Sequence, residues 1–177
     1  MVEARIAEDR IAFLRSLRAV RSFRPDPVPG VVVDDILEVA RWSGSASNRQ
    51  PWELVVIRDK ETLRALARVE GYANHLADAP LGIVVVMTGE RPTQETYDEG
   101  RLAERIMLAA LAHGVGSSVG WIVGGGRDAA REILGVPEGR MVRTAISLGY
   151  PDKGARRQRV SQARKPISEI VHEERYG

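Results

Sequence analysis

The stretch 101–114, "RLAERIMLAALAHG", decides how the rest of the chain is read. From Leu102 to Ala112 its apolar residues occupy nearly every side of a helix, and a helix apolar all round has to be covered all round. The spacing predicts a helix over 97–113 at the centre of one layered domain, with a partner chain supplying part of the cover. Working outward, "LGIVVVMT" (81–88) reads as a strand buried on both faces. "WELVVIRD" (52–59) and "MVRTAISLG" (141–149) read as two more strands. Helices are expected over 5–18, with Ile6, Phe13, Leu17 and Val20 at helical spacing, over 31–42 with Ile36, Val39 and Ala40 on one face, over 60–70 and over 128–134. "RPDPVP" (24–29) breaks the first of these, because proline cannot continue a helix. "GVGSSVGWIVGGGR" (114–127) reads as a glycine-rich segment around an apolar stretch, and "GERPTQE" (89–95) as the connection before the long helix. Strands and helices alternate with short links, a mixed α and β layout in one layered domain over 1–177, with α+β the expected fold class.

Composition narrows the function. A hydrophobic share of 44% and a charged share of 28% are those of a soluble globule, and a net charge of +2 is too small to argue for nucleic acid or an anionic membrane. The absence of cysteine excludes disulfides, thiolate metal sites and a cysteine nucleophile. The N-terminus, "MVEARIAEDR", has no apolar segment of a signal peptide, and no run approaches the ~20 apolar residues of a membrane span. The expected location is the cytoplasm.

Catalytic motifs are missing. His75, His113 and His172 are far apart, no metal-ligand spacing occurs, and neither a GxSxG elbow nor a Walker A sequence is present. "GVGSSVG" has the wrong spacing for a dinucleotide fingerprint. His113 reads as a helix-end residue, His172 as a solvated one, and the acids mostly as helix surface. No catalytic side chain and no metal site is expected, which leaves a bound cofactor to carry any chemistry. Two features suit that role. The loop 43–52, "SGSASNRQPW", crowds serines, an asparagine and a glutamine beyond the needs of a turn. Arginines cluster at Arg18, Arg21 and Arg24 and again in the tail at Arg156, Arg157, Arg159 and Arg164 with Lys165; guanidinium groups bind phosphate through paired charged hydrogen bonds.

Taken together, "LRAVRSFRPDPVP", "ARWSGSASNRQPW", "LADAP", "HGVGS" and "SLGYP…ARKPISEIV" resemble the flavin-dependent nitroreductase family, in order and spacing from about Arg15 to Val171. The resemblance implies a three-layer α/β/α arrangement around a central mixed sheet. It also implies an intertwined homodimer with FMN at the interface, and a tail from about 150 to 177 packed on the partner subunit. It implies an FMN-dependent oxidoreductase in which NAD(P)H reduces the flavin and a small electron-poor acceptor, nitroaromatic or quinone, reoxidises it by a ping-pong cycle. By matching motifs, FMN would be held by Arg18, Arg21, Ser45, Ala46, Ser47, Asn48, Gln50, Val119, Gly120, Trp121 and Arg164. Arg21 would lie beside the N1/C2 edge, the amides near Val119 would reach N5 and O4, and Gln50 would hold the loop to itself. Tyr72 and His75 would line the pyrimidine edge or pocket mouth. Leu17 and Ala19 stand where the family commonly has an arginine and a serine, and Gln162 where a basic residue is frequent. Three readings follow: neighbouring arginines compensate, FMN binds weakly, or another flavin-like ligand is used. Oxygen-dependent flavin chemistry, deazaflavin maturation and flavin binding without turnover are the alternative functions.

Overall fold

The apolar run Leu81–Met87 forms β2, a strand buried at every residue, and it accounts for the layers on either side. The computed structural model describes residues 2–152, 154 and 164–176. It sets β2 between β1 (Trp52–Ile57) and β4 (Met141–Gly149), with β3 (Gly116–Trp121) beyond β4. Side chains alternate across a strand. Leu81, Ile83, Val85 and Met87 therefore enter one core, shared with α2 (Gly30–Arg41) and α4 (Pro92–Ala112). Val84 and Val86 enter the other, against α3 (Lys60–Ala67) and α5 (Gly126–Leu134). These are the three expected layers. The four strands pair antiparallel throughout; among the described residues the parallel component of the expected mixed sheet is one bridge, Ala19 to Ser117.

A β-bulge falls where Val85 pairs with Thr144 but Val86 pairs with Val142. The extra residue, Arg143, shifts the phase of β4, so Val142 and Ile146 serve opposite cores although their parity is the same. The bulge also turns the Arg143 side chain toward α4, where it pairs with the buried Glu99.

Several boundaries differ from the sequence expectation, for local reasons. The long helix starts at Pro92, whose missing N–H costs nothing in a first turn, so most of "GERPTQE" is helix start and not link. The first helix, α1 (Val2–Ser16), stops before Leu17. Val20 leaves helical spacing to donate its N–H to Ser117 O (2.8 Å). The glycine-rich segment contains a strand, β3, which the sequence reading missed. Its glycines are packing solutions: a Cβ on Gly116 would meet Val20 at 2.8 Å, and one on Gly120 would meet Ala73 at 2.7 Å.

The central helix is covered on one side only within a single chain. Leu102, Ile106 and Ala110 are fully buried, while Met107, Leu108 and Leu111 are half-buried. Ile6, Ile11 and Leu14 of α1 are exposed. The basic residues Arg156, Arg157 and Arg159, with Gln162, lie outside the described residues. No helix among those described is long and apolar enough to cross a membrane.

Candidate functional site

The polar loop is held in a costly backbone shape. Ser47, Asn48 and Gln50 all have φ near the left-handed region (53°, 51° and 51°), at roughly 1–2 kcal/mol each for a residue with a Cβ. Surrounding bonds impose it. Ser45 Oγ accepts the Gln50 N–H at 2.8 Å, Ser45 O accepts the Asn48 N–H at 3.1 Å, and the Gln50 amide reaches Asn48 Oδ1 at 3.3 Å. Gln50 thus ties the loop to itself. From outside the loop, Asp98 Oδ2 of α4 accepts the Ala46 N–H at 3.2 Å. Pro51 is buried and its carbonyl accepts the Thr88 N–H (3.0 Å), which anchors the loop to the end of β2. Ser47 and Asn48 are exposed.

A second feature lies along the outer edge of β3. One end is stitched by Val20 to Ser117 O, and the other by the Tyr72 N–H to Trp121 O (2.7 Å). Backbone groups two residues apart on a strand face the same way, so Val119, between the stitched ends, turns its N–H and C=O to that edge. Gly120 is one residue out of step; its amide faces Ala145 of β4, so its contribution is the missing side chain and not an outward hydrogen bond. Trp121 and Tyr72 are exposed beside the edge (56% and 72%), which rules out Trp121 as ordinary core.

His75 is not a surface residue. It lies buried behind β3, with Nδ1 at 2.7 Å from Ser147 Oγ, and Nε2 makes no hydrogen bond of ordinary geometry among the described residues. Burial, and then the positive charge of Arg21, push its imidazole below the ordinary pKa; the nearby Val119 carbonyl works weakly the other way. The ring is therefore neutral at neutral pH. The same interaction places the Arg21 guanidinium within electrostatic reach of the His75 ring.

Below that edge, a cavity of about 540 Å³ is lined by Arg15, Arg18 and Arg164, by Glu104, and by apolar residues including Leu17 and Ala19. Arg18 is partly engaged: its Nη1 donates to Arg15 O and Leu17 O, both at 2.7 Å, capping the end of α1. His113 does not cap carbonyls through its ring; its Nε2 meets Asp35 Oδ2 at 3.1 Å.

The loop 43–52 and the β3 edge lie on opposite sides of the sheet, whose order is β1-β2-β4-β3. Three strand spacings separate β1 from β3, about 14 Å. One chain brings Arg18, Arg21, Val119, Trp121 and Arg164 to one side, and Ser45, Ala46, Ser47, Asn48 and Gln50 to the other.

The sequence reading passed over Glu95, Asp98 and Glu99, which are buried and not helix surface. Glu95 accepts from Thr88 Oγ1 and from the Gly89 and Arg91 amides. Burial raises its carboxyl pKa, yet these bonds and the Arg143 charge together outweigh it and leave the group below its ordinary value. A signal was present: the three acids extend by steps of three and four the buried stripe through Leu102, Ile106 and Ala110. Among the described residues no group of acids and histidines is arranged to hold a metal.

The sequence and fold resemble those of known proteins. Residues 14–88 match the model of the nitroreductase family. Over 153 residues the chain is 31% identical to an Archaeoglobus fulgidus protein assigned as an NADH dehydrogenase/NAD(P)H nitroreductase, covering 81% of this chain and 86% of that protein. An FMN-dependent nitroreductase of Clostridium difficile superposes with a TM-score of 0.82 at 28% identity, over 94% of this chain and 99% of that one. The NADPH:FMN oxidoreductase of Vibrio harveyi, complexed with NAD+, shares the fold at 24% identity (TM-score 0.79, 94% of this chain and 77% of that one).

Proposed function

Because this chain belongs to the nitroreductase family, and is with it an FMN-dependent oxidoreductase that draws on NAD(P)H, we propose that it reduces nitroaromatic, quinone or similar electron-poor acceptors as a homodimer. The observation that carries this reading is the division of the site between opposite sheet edges, which a second copy of the chain would bring together. A bound flavin would supply the hydride and electron transfer between NAD(P)H and the acceptor, the two meeting it in turn.

The residues present fit that group. Val119 offers an outward amide at the open edge, and Arg21 supplies positive charge where an anionic ring edge would need it. With His75 neutral, its ring adds no second positive charge beside Arg21. Arg18 and Arg164 line the cavity suited to a phosphate. From the other copy, Ser45, Ala46, Ser47 and Asn48 would meet the polar edge and ribityl chain, while Gln50 acts by holding their shape. Tyr72 flanks the mouth of the pocket, and His75 acts from behind the strand.

The exposed apolar residues of α1, with Ile167, Ile170 and Tyr176 of the tail (76%, 60% and 93% exposed), support a partner subunit that covers them. A single domain with a tail packed on the partner accounts for this distribution.

The test is direct. The purified protein should be yellow and dimeric in solution. Under anaerobic conditions NADH or NADPH should bleach it, and a nitroaromatic or quinone should restore the colour. A colourless protein whose thermal stability is unchanged by added FMN would remove the reading.

A further inference from the structure

The cavity below the β3 edge contains a cation that the matched motifs do not include. Arg15, in the last turn of α1, lines it together with Arg18 and Arg164. Three features make Arg15 more than a bystander. First, Arg18 spends one guanidinium nitrogen on two helix-end carbonyls, which reduces what it can offer an anion. Second, the negative end of the α1 dipole faces this region and opposes an anion. Third, Leu14, Leu17, Ala19 and Met107 fill the rest of the wall with side chains that donate no hydrogen bond. Charge then decides the matter. Among the described residues, three guanidinium groups against the Glu104 carboxylate leave two positive charges on the lining, the complement of a phosphate monoester carrying about −1.5 to −2 at neutral pH. Without Arg15 the lining keeps half of that charge.

Resting on the reading above, we propose that Arg15 is the third cation of a phosphomonoester site and the residue by which this chain distinguishes FMN from unphosphorylated riboflavin. It supplies from the helix the charge that Leu17 and Ala19 do not. Glu104 opposes it and limits the affinity.

The experiment titrates flavin-stripped protein with FMN and with riboflavin, reading flavin fluorescence, for the unsubstituted chain and for Arg15→Ala, Arg15→Lys, Glu104→Gln and Arg164→Ala. Arg15→Ala should weaken FMN roughly ten- to hundredfold and leave riboflavin within about twofold, the loss of one charge-assisted hydrogen-bonding group. Arg15→Lys should recover part of the FMN affinity, and Glu104→Gln should tighten FMN alone. Circular dichroism melts of each variant separate lost binding from lost folding. If Arg15→Ala changes FMN and riboflavin equally, or neither, the proposal is overturned. It is also overturned if that variant shifts preference between NADPH and NADH while FMN affinity stays constant, since the phosphate recognised would then be the nucleotide's. Loss of FMN discrimination in Arg164→Ala but not in Arg15→Ala would overturn the role of Arg15 and leave the flavin reading standing. Failure of the unsubstituted chain to bind FMN would overturn both.

Discussion

Asp98→Ala tests whether α4 shapes the polar loop. Asp98 is buried (4% exposed), and its carboxylate accepts the Ala46 N–H at 3.2 Å. It also faces Arg101 at 3.7 Å, but that arginine side chain is 58% exposed, so the ion pair contributes less than about 1 kcal/mol. A hydrogen bond to a charged acceptor contributes about 1.5–3 kcal/mol, and removing the acceptor leaves a part-buried N–H unpaired. The expected loss of stability is therefore about 2–3 kcal/mol. At about 2–4 °C per kcal/mol for a chain of this size, the melting temperature should fall by roughly 4–12 °C. The effect should be local as well. Ser47, Asn48 and Gln50 hold left-handed backbone angles against roughly 3–6 kcal/mol of intrinsic preference, so losing one restraint should open the loop. Amide exchange at Ala46 to Gln50 should accelerate, and FMN affinity should drop by up to about thirtyfold, because binding would have to re-order the loop. Asp98→Asn keeps an acceptor oxygen and should recover about half of the loss in melting temperature. The reasoning is refuted if Asp98→Ala melts with the unsubstituted protein and the loop amides exchange at unchanged rates, or if Asn is as damaging as Ala.

Other outcomes follow from the buried groups. His75 has a folded pKa below its ordinary 6.5, so the unfolded chain binds the extra proton first as pH falls. Its contribution to stability is complete above about pH 6.5 and is lost as pH falls through that value toward the lower folded pKa. Melts between about pH 7 and pH 5 should show this decline, and His75→Gln should flatten it; an unchanged slope would count against a buried neutral ring. Gly120→Ala places a methyl 2.7 Å from Ala73 Cα and 3.1 Å from His75 Nε2, which should cost about 1–3 kcal/mol in denaturant melts. Glu99→Ala strands the buried Arg143 guanidinium and should cost about 3–5 kcal/mol, whereas Glu99→Leu with Arg143→Met should be far less destabilising, as double-mutant melts would read.

Much of the layering was legible because it rests on local pattern. "LGIVVVM" could only be a strand covered on both faces, and the nearly all-apolar helix around Leu102–Ala112 required cover from more than one direction. The loop 43–52 announced itself by holding more polar groups than a turn uses. β3 was not legible, because glycine and serine carry no strand preference. Gly116 and Gly120 are strand residues only because Val20, Ala73 and His75 fill the space their side chains would have taken. The buried acids were misread as surface because burial of a carboxylate depends on finding donors, and those come from Thr88, Gly89, Arg91, Ala46 and Arg143, brought together by folding.

The sequence by itself determined the alternation of elements, the apolar faces that must be buried, and the residue types a phosphate-bearing cofactor would need. Those follow from periodicity and side-chain chemistry, which belong to the chain before it folds. Tertiary structure alone decided that the polar loop and the Arg21–Val119 edge occupy opposite sides of the sheet, and that a bulge turns Arg143 inward. It alone decided too that Arg15 joins Arg18 and Arg164 around one cavity. Strand order and pairing register are set by contacts between residues distant in sequence, and no local pattern carries that information.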